Sequence, residues 1–591
     1  MKLYPTGKEA AKIDEYTQNE IGIPGIVLME KAAESAKKVI ISEMQSRPDG
    51  IRKERDRILV AVEGGNNGGD GIALARLLYT EGYNVDIYEI GKISNCTESY
   101  NVEKNAAEKT GVPIIDNFDN ISYCDYFLIV DAIFGTGLHR TVDGIHKKIV
   151  EMINAEHSKG IAVISIDIPT GISADTGKVL GCAINADITV TFGFTKYGML
   201  YGDGKNCSGK IITLPIGLTY DYEQAFAIHV EMEKSDISKF IPDKKFNINK
   251  GSSGKVFLIA GSEQIGGAAY FSAAAAYNTG AGMVVVYTSD KNRIFLNERI
   301  PEAIIETYGE ESIDSDYIYG KVKWSDVTVI GPGIGTGETA RKILINVFKS
   351  RPEKLIIDAD AINLFEKYSD VVETYKKYIM YPYENDLQEN KRNVQVVFSP
   401  HMAEMLRLEK AFGINETMEK LADNRTERLT SLSIKLKACI VLKDYRTECV
   451  GFDKFTNSYG KYIFVNTAGN AGMAKGGSGD VLTGIIAGIL AQTGHSGQRH
   501  EKIAGFSTGH KNVINCRHKK NDGSRFDIDT EIMPDRFFAE CVAAVGIHAL
   551  AGDITSNIFG MYGMTASDII KEIPAAIGMC KNIDGRNAEK M

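Results

Sequence analysis

Glu63-Gly64-Gly65-Asn66-Asn67-Gly68-Gly69-Asp70-Gly71 joins a strand-like run, residues 57–63, to a helix-like run, residues 71–81. Its glycines let the backbone turn tightly and offer N–H groups to an anion, while Asn66, Asn67 and Asp70 supply polar contacts. It is not the G-x-G-x-x-G fingerprint of dinucleotide-binding folds. Outward from it the chain alternates: strands at 84–90, 126–132 and 162–168, helices at 99–110 and 144–159. That spacing predicts a parallel sheet with right-handed crossovers. Two further helices precede it, 8–19 and 24–44, the second with Ile26, Met29, Ala33, Ala36 and Ile40 on one face.

The later strand ends carry chemistry as well. One delivers Asp131-Ala132-Ile133-Phe134-Gly135-Thr136-Gly137-Leu138, another Asp167-Ile168-Pro169-Thr170-Gly171. Asp131 and Asp167 with Asn67 and Thr170 make an all-oxygen set suited to a hard cation. Each carboxylate alone reads equally as a helix cap or a loop hydrogen bond; three polar strand ends at one edge favour a site.

A second system follows the polar stretch 221–249, where Pro242 and charged residues mark a linker. It has a strand at 256–260, an alanine-rich helix at 268–279 and a strand at 283–287. Glycines or polar groups again follow strands: Gly331 to Gly337, Ser399-Pro400-His401, and Lys443-Asp444-Tyr445-Arg446-Thr447. Ala474-Lys475-Gly476-Gly477-Ser478-Gly479-Asp480 then opens the apolar helix 481–490. Glycine amides and a helix N-terminus form an anion trap, with Asp480 at its rim as either a helix-terminal carboxylate or a reactive one.

Composition narrows the classes. A chain of 591 residues needs two or three cores. Its 43% hydrophobic and 25% charged residues fit a globular protein, and its apolar runs are shorter than a membrane span. The N-terminal residues lack a secretory pattern, so cytoplasm is expected. Nine cysteines without a C-x-x-C pair argue against a disulfide framework and a zinc site. A net charge of −9 gives no basis for nucleic-acid or anionic-membrane partners. Residues 378–393 and 511–538 read as charged surface insertions.

Asn66 to Gly71, Asp131 to Gly137 and Ser165 to Gly171 resemble the N-N-G-G-D-G, D-A-x-F-G-T-G and S-I-D-I-P-[ST]-G motifs of the bifunctional NAD(P)H-hydrate repair enzymes. Those proteins join an epimerase to an ADP- or ATP-dependent dehydratase. Gly254 to Ser262, Gly266 to Ala269, Thr279 to Gly282, Asp358 to Ala361, Ser399 to Glu404, Gly476 to Asp480 and His548 to Asp553 resemble the dehydratase half. Glu63, where the family more often has glycine, and the two long insertions depart from the pattern.

The resemblance implies an α/β protein. A Rossmann-like three-layer αβα domain (1–228) would precede a linker (229–246) and a ribokinase-like αβα domain (247–591). It implies that the two epimers of the hydrated dinucleotide interconvert on the first domain and that the S form is dehydrated on the second. Asn66, Asn67, Gly68, Gly69, Asp70, Gly135, Thr136, Gly137, Leu138, His139, Arg140, Thr141 and Asp167 would hold hydrated NADH or NADPH, with Asp167 catalytic. Asn67, Asp131 and Thr170 would hold K⁺. On the second domain Ala281, Gly333, His401 and Asp480 would meet the hydrate, with Asp480 as catalytic base. Lys443 to Thr447 (Asp444, Tyr445 and Arg446 between them) and Gly476, Gly477, Ser478 and Gly479 would bind ADP or ATP with Mg²⁺. A homo-oligomer is expected.

Two other readings stay open at this stage. A ribokinase-type small-molecule kinase shares the glycine loop ending in aspartate but has no use for the first domain. A binding or scaffolding module shares the first fold but need not keep Asn67, Asp70, Asp131 and Asp167.

Overall fold

The computed structural model describes residues 1–46, 50–53, 55–91, 96–115, 125–219, 228–244, 250–309, 313–381, 394–414, 417, 424–453, 458–493 and 536–581. The insertions expected at 378–393 and 511–538 lie mostly outside these residues. The chain forms two compact units: Leu3–His229, and Val230–Met591 with Met1–Lys2.

The first unit is built on a seven-stranded parallel sheet. Its order is Ile114–Ile115, Asn84–Glu89, Arg57–Val62, Tyr126–Ala132, Ala162–Ile166, Ile188–Phe192, Lys210–Leu214. The last two strands extend the sheet beyond the sequence expectation. Alternate residues of the central strand serve opposite faces. Ile58, Val60 and Val62 join one apolar cluster with Leu28, Ile40 and Ile72, while Leu59 and Ala61 join another with Ile149 and Ile153. Both faces are therefore covered by helices, which is what a parallel sheet requires.

The helix after the first strand begins at Asn66, inside the glycine-rich stretch, and runs Asn66–Thr80. Its glycines are packing residues: a Cβ on Gly68 would lie 1.7 Å from the Glu63 carbonyl oxygen, and one on Gly71 would lie 2.5 Å from Ala132 Cβ. The sequence reading of a loop up to residue 70 is corrected by that close approach.

The second unit has a core of parallel strands in the order Ile304–Tyr308, Met283–Ser289, Lys255–Ile259, Val327–Ile330, Lys354–Asp358, Gln395–Ser399, Cys439–Leu442. Glu448–Asp453 and Ser458–Val465 continue it antiparallel. The helix Ser478–Gln492 is buried along most of its length against Gly267–Thr279. Small residues make the approach possible, since a Cβ on Gly484 would come 2.3 Å from the Ser272 carbonyl oxygen.

Residues 229–246 carry more structure than a linker. They include a strand, His229–Glu231, and a helix, Lys234–Ser238, and Ile237, Phe240 and Ile241 are buried. Among the described residues one helix, Arg536–Gly563, is long and apolar enough to cross a membrane by length and composition. The sequence reading that all apolar runs are too short missed it; 78% of its most apolar window is buried inside the protein, so its hydropathy serves the core.

Candidate functional sites

In the first unit the loops after three adjacent strands meet at the carboxyl edge of the sheet. Asp131 is fully buried at the end of its strand. Its Oδ1 accepts from Thr170 Oγ1 at 2.6 Å and Ile133 N at 3.3 Å; its Oδ2 accepts from Ser165 Oγ at 2.7 Å and Thr170 N at 2.9 Å. Burial pushes this carboxyl up and those hydrogen bonds oppose the shift. Phe134 N donates to Thr170 Oγ1 at 3.0 Å, which ties the glycine loop 134–137 to the same cluster.

Asp167 has φ +69°, a left-handed conformation that costs an L-residue roughly 1–2 kcal/mol. The strain aims its carboxylate. Oδ2 accepts from Thr136 N at 3.1 Å, and Oδ1 receives the Lys196 ammonium at 2.5 Å. A Cβ on Gly135 would stand 2.8 Å from Asp167 Oδ2 and 3.1 Å from Asn67 Cβ, so these three residues border one small space. Asn67 is buried, yet neither its Oδ1 nor its Nδ2 has a hydrogen-bond partner among the described residues. An unmatched buried amide is costly unless something binds it.

Asp70 sits in the same neighbourhood. Burial, then the charges of Asp167 and Asp14, push its carboxyl well above the usual range. Of the other residues named from the sequence, Leu138 is buried, while Asn66, Gly137, His139, Arg140 and Thr141 are exposed along the rim. The Arg140 guanidinium lies over the Phe134 ring, 5.4 Å from its centre. Sequence reasoning missed Asp14, Lys196 and His146, whose ring nitrogen meets the Glu63 carboxylate. Nothing in their spacing marks them, because each comes from a different element.

In the second unit Asp480 occupies the first turn of the helix Ser478–Gln492. Gly477 precedes it at φ +92°, and a Cβ there would strike the Phe271 ring at 2.6 Å. Burial, then the charge of Asp358, pushes the Asp480 carboxyl up to about 7. Asp358 is itself buried and accepts from Lys443 Nζ at 2.5 Å and from Thr483 Oγ1 at 2.6 Å. Burial opposes the Lys443 ammonium, but Asp358 and Glu404 hold its pKa above the ordinary value. A Cβ on Gly479 would lie 3.5 Å from Lys443 Nζ, so the ammonium faces the glycine loop. Beside the loop, His548 Nε2 is 3.3 Å from Ser478 Oγ, and burial pushes its imidazole down to about 4.

The other residues named from the sequence have the following surroundings. Gly333, at φ +63°, approaches Ala268, where a Cβ would meet Ala268 Cβ at 3.0 Å. Gly476 faces open space and leaves its amide approachable. Arg425, which the sequence did not flag, organises the segment 444–448: it donates to Asp444 Oδ2 at 2.7 Å, Arg446 O at 3.1 Å and Glu448 Oε2 at 3.0 Å. Tyr445 is exposed, Arg446 donates to Thr467 O, and Thr447 Oγ1 reaches Asp444 O at 3.5 Å.

His401 lies beside Lys443, whose backbone its own backbone bridges. It is the N-cap of the helix Met402–Ala411, its Nδ1 accepting from Ala403 N and Glu404 N, and its Nε2 is 3.3 Å from Glu404 Oε1, so both ring nitrogens are engaged at the helix start. Ala281 precedes the strand Met283–Ser289 and therefore lies at the amino edge of the sheet. Its neighbour Gly280 abuts Gln492, the far end of the helix that starts beside Asp480, about 20 Å away at 1.5 Å per residue. The structure does not bring Ala281 to the glycine loop.

Comparison with known proteins accounts for both units. The family model described as NAD(P)H-hydrate dehydratase matches residues 256–511, and the one described as YjeF-related protein N-terminus matches residues 25–198. A bifunctional NAD(P)H-hydrate repair enzyme of Dictyoglomus turgidum is 30% identical over 98% of this chain and 98% of its own length. An NAD(P)H-hydrate epimerase of Oenococcus oeni is 38% identical over 36% of this chain and 97% of its own. Among solved structures, a ribokinase-like superfamily protein of Enterococcus faecalis is 28% identical, covering 60% of this chain and 96% of its own, with a TM-score of 0.43. The chain belongs to the bifunctional NAD(P)H-hydrate repair enzymes, with an epimerase half followed by a dehydratase half.

Proposed function

We propose that the second unit dehydrates the S form of hydrated NADH or NADPH at the expense of ADP or ATP, with Asp480 as the base. The observation that carries this reading is the half-buried Asp480 carboxyl in the first helical turn, beside a glycine loop that Lys443 faces. A hydroxyl on C6, next to the ring nitrogen, is a poor leaving group. Asp480 takes its proton as the oxygen attacks the terminal phosphoryl group, whose bond to the rest of the nucleotide breaks to release AMP or ADP, and the amides of Gly476 to Gly479 with Lys443 stabilise the transferred charge. The nitrogen lone pair then expels phosphate from C6, a proton leaves C5, and the reduced nicotinamide is restored.

Mg²⁺ would add charge neutralisation at the phosphates.

In the first unit Asp167 carries protons for epimerisation. Removing the proton from the C6 hydroxyl while the ring nitrogen gains one opens the ring to an aldehyde, and reclosure on the other face inverts C6. The unpartnered Asn67 amide oxygen fits a K⁺ site, with Asp131 and Thr170 as the other oxygen ligands. Asp131 already accepts four hydrogen bonds, so the ion would enter by sharing the Thr170 hydroxyl. When bound, K⁺ supplies a fixed positive charge that orders the glycine loop. The seven described cysteines are all free thiols, which supports a reducing compartment such as the cytoplasm.

The test is separation of the two activities. Asp480→Asn should abolish nucleotide-dependent dehydration and leave epimer exchange intact, whereas Asp167→Asn should do the reverse. Loss of both activities in a folded Asp480→Asn protein would sink the assignment.

A further inference from the structure

Lys196 is buried, at 4% exposure, and belongs to no motif that the sequence analysis used. Its ammonium has three protons and three acceptors: Asp167 Oδ1 at 2.5 Å, Thr191 Oγ1 at 2.7 Å and Phe192 O at 3.2 Å. Nothing is left over for a ligand. The group is therefore a fixed charge, held by the end of the strand Ile188–Phe192 and directed at one oxygen of a residue whose backbone is already forced into the left-handed region. Among the described residues Asp167 Oδ2, by contrast, accepts a hydrogen bond from the Thr136 amide alone, and it borders the space beside Gly135 and Asn67.

Two other carboxyls face this pair. Asp14 comes from the helix Gly7–Asn19, and burial, countered by Lys196 and reinforced by Asp167, pushes it up to about 6. Asp70 comes from the helix Asn66–Thr80 and feels Asp167, Asp14, Lys196 and Glu103. One ammonium among three carboxyls decides where the negative charge sits. Of the three carboxyls it is hydrogen-bonded to Asp167.

We propose that Lys196 is the positioning residue of the epimerase centre: it locks the Asp167 carboxylate in one rotamer, concentrates the negative charge of the Asp14–Asp70–Asp167 group on it, and leaves Oδ2 to exchange the proton with the substrate. This rests on the reading of Asp167 as the proton carrier, which the same experiment checks separately.

The experiment follows epimer exchange of purified R hydrate by chromatography without nucleotide, as a function of pH, for the full chain and for Lys196→Met, Lys196→Arg, Thr191→Val and Asp167→Asn. Dehydration of the S hydrate by the same preparations reports on the second unit. Lys196→Met is expected to lower kcat for exchange about 100-fold, in the range of a lost acid–base contribution, with KM changed less than about threefold. Its acid limb should move to higher pH, and Lys196→Arg should recover at least tenfold of the loss. Thr191→Val removes one anchor and keeps the charge, so it should lower kcat about fivefold with the same direction of pH shift.

Lys196→Met exchange within threefold of wild type and on the same pH profile would overturn the proposal. If Lys196→Met does not fold, Thr191→Val decides: a wild-type kcat and profile overturns it. Full exchange by Asp167→Asn would instead remove the reading on which the proposal rests.

Discussion

The Lys443 ammonium lies 2.5 Å from Asp358 Oδ1, while the other oxygen of Asp358 takes the Thr483 hydroxyl, one turn along the helix from Asp480. The pair links a strand end to the helix that begins at the glycine loop. It also sets Asp480 between one carboxylate that resists its ionisation and one ammonium that favours it. Losing the cation would therefore change both phosphate binding and the base.

Lys443→Met should lower kcat/KM for dehydration by ~100-fold or more and raise the pH at which the reaction switches on, because the ammonium favours the Asp480 carboxylate. Steady-state kinetics over pH 5–9 check this, with epimer exchange expected to stay at its wild-type rate. A loss with no shift of the profile would mean that Lys443 only binds phosphate.

The pH dependence of the wild-type enzyme follows from the same carboxyl. A base works when deprotonated, and Asp480 has been pushed up to about 7. Dehydration kcat/KM should therefore fall about tenfold per unit below pH 7 and level off above it, since this parameter reports the free enzyme. A flat profile down to pH 5 would show that ionisation of Asp480 does not limit the reaction.

Gly477→Ala tests the glycine loop. At φ +92° with the Phe271 ring 2.6 Å from the new methyl, the substitution should cost roughly 1–2 kcal/mol for the backbone alone, and more for the clash. Thermal unfolding should report a lower Tm and nucleotide affinity should fall. Gly476→Ala, which meets open space, is the matched comparison and should leave Tm nearly unchanged.

Asn67→Leu separates stability from function in the first unit. The amide makes no hydrogen bond among the described residues, so a similarly shaped apolar side chain should leave the apo Tm within a degree or two, or raise it. It should also abolish any K⁺-dependent rise in Tm and most epimer exchange. A Tm that still responds to K⁺ would move the ion elsewhere.

Arg425→Ala removes the guanidinium that pairs with Glu448, which is fully buried. Breaking a buried pair by removing one partner costs about 3–5 kcal/mol. Denaturant unfolding should show a loss of that order, and KM for the nucleotide should rise because the segment 444–448 loses its anchor.

The alternation of strands and helices made the layered α/β architecture readable, because parallel sheets buried on both faces demand near-continuous apolar strands. The motif residues Asn67, Gly135 and Asp167 converge for the same reason: each follows a neighbouring strand. What could not be read was tertiary. Glycines 68, 69 and 71 look like a loop until Glu63, Met29 and Ala132 press against them, and only then is a helix from Asn66 intelligible. Asp14, Lys196 and Arg425 carry charge into buried places from distant parts of the chain, and no local pattern distinguishes them from surface residues. Ala281 shows the converse error, since a motif residue beside a helix end was assigned to a site at the opposite edge of the sheet.

The most direct measurement is the recovery of absorbance at the reduced-nicotinamide band from a mixed C6-epimer hydrate preparation, with ADP or ATP, Mg²⁺ and K⁺. Wild type should restore the whole pool. Asp480→Ala should restore none of it, and Asp167→Ala should restore the S fraction quickly and the remainder only at its spontaneous rate of epimerisation. Restoration of the R fraction by Asp167→Ala at the wild-type rate, or of any part of the pool by Asp480→Ala at the wild-type rate, would contradict the assignment of the two carboxylates to the two reactions.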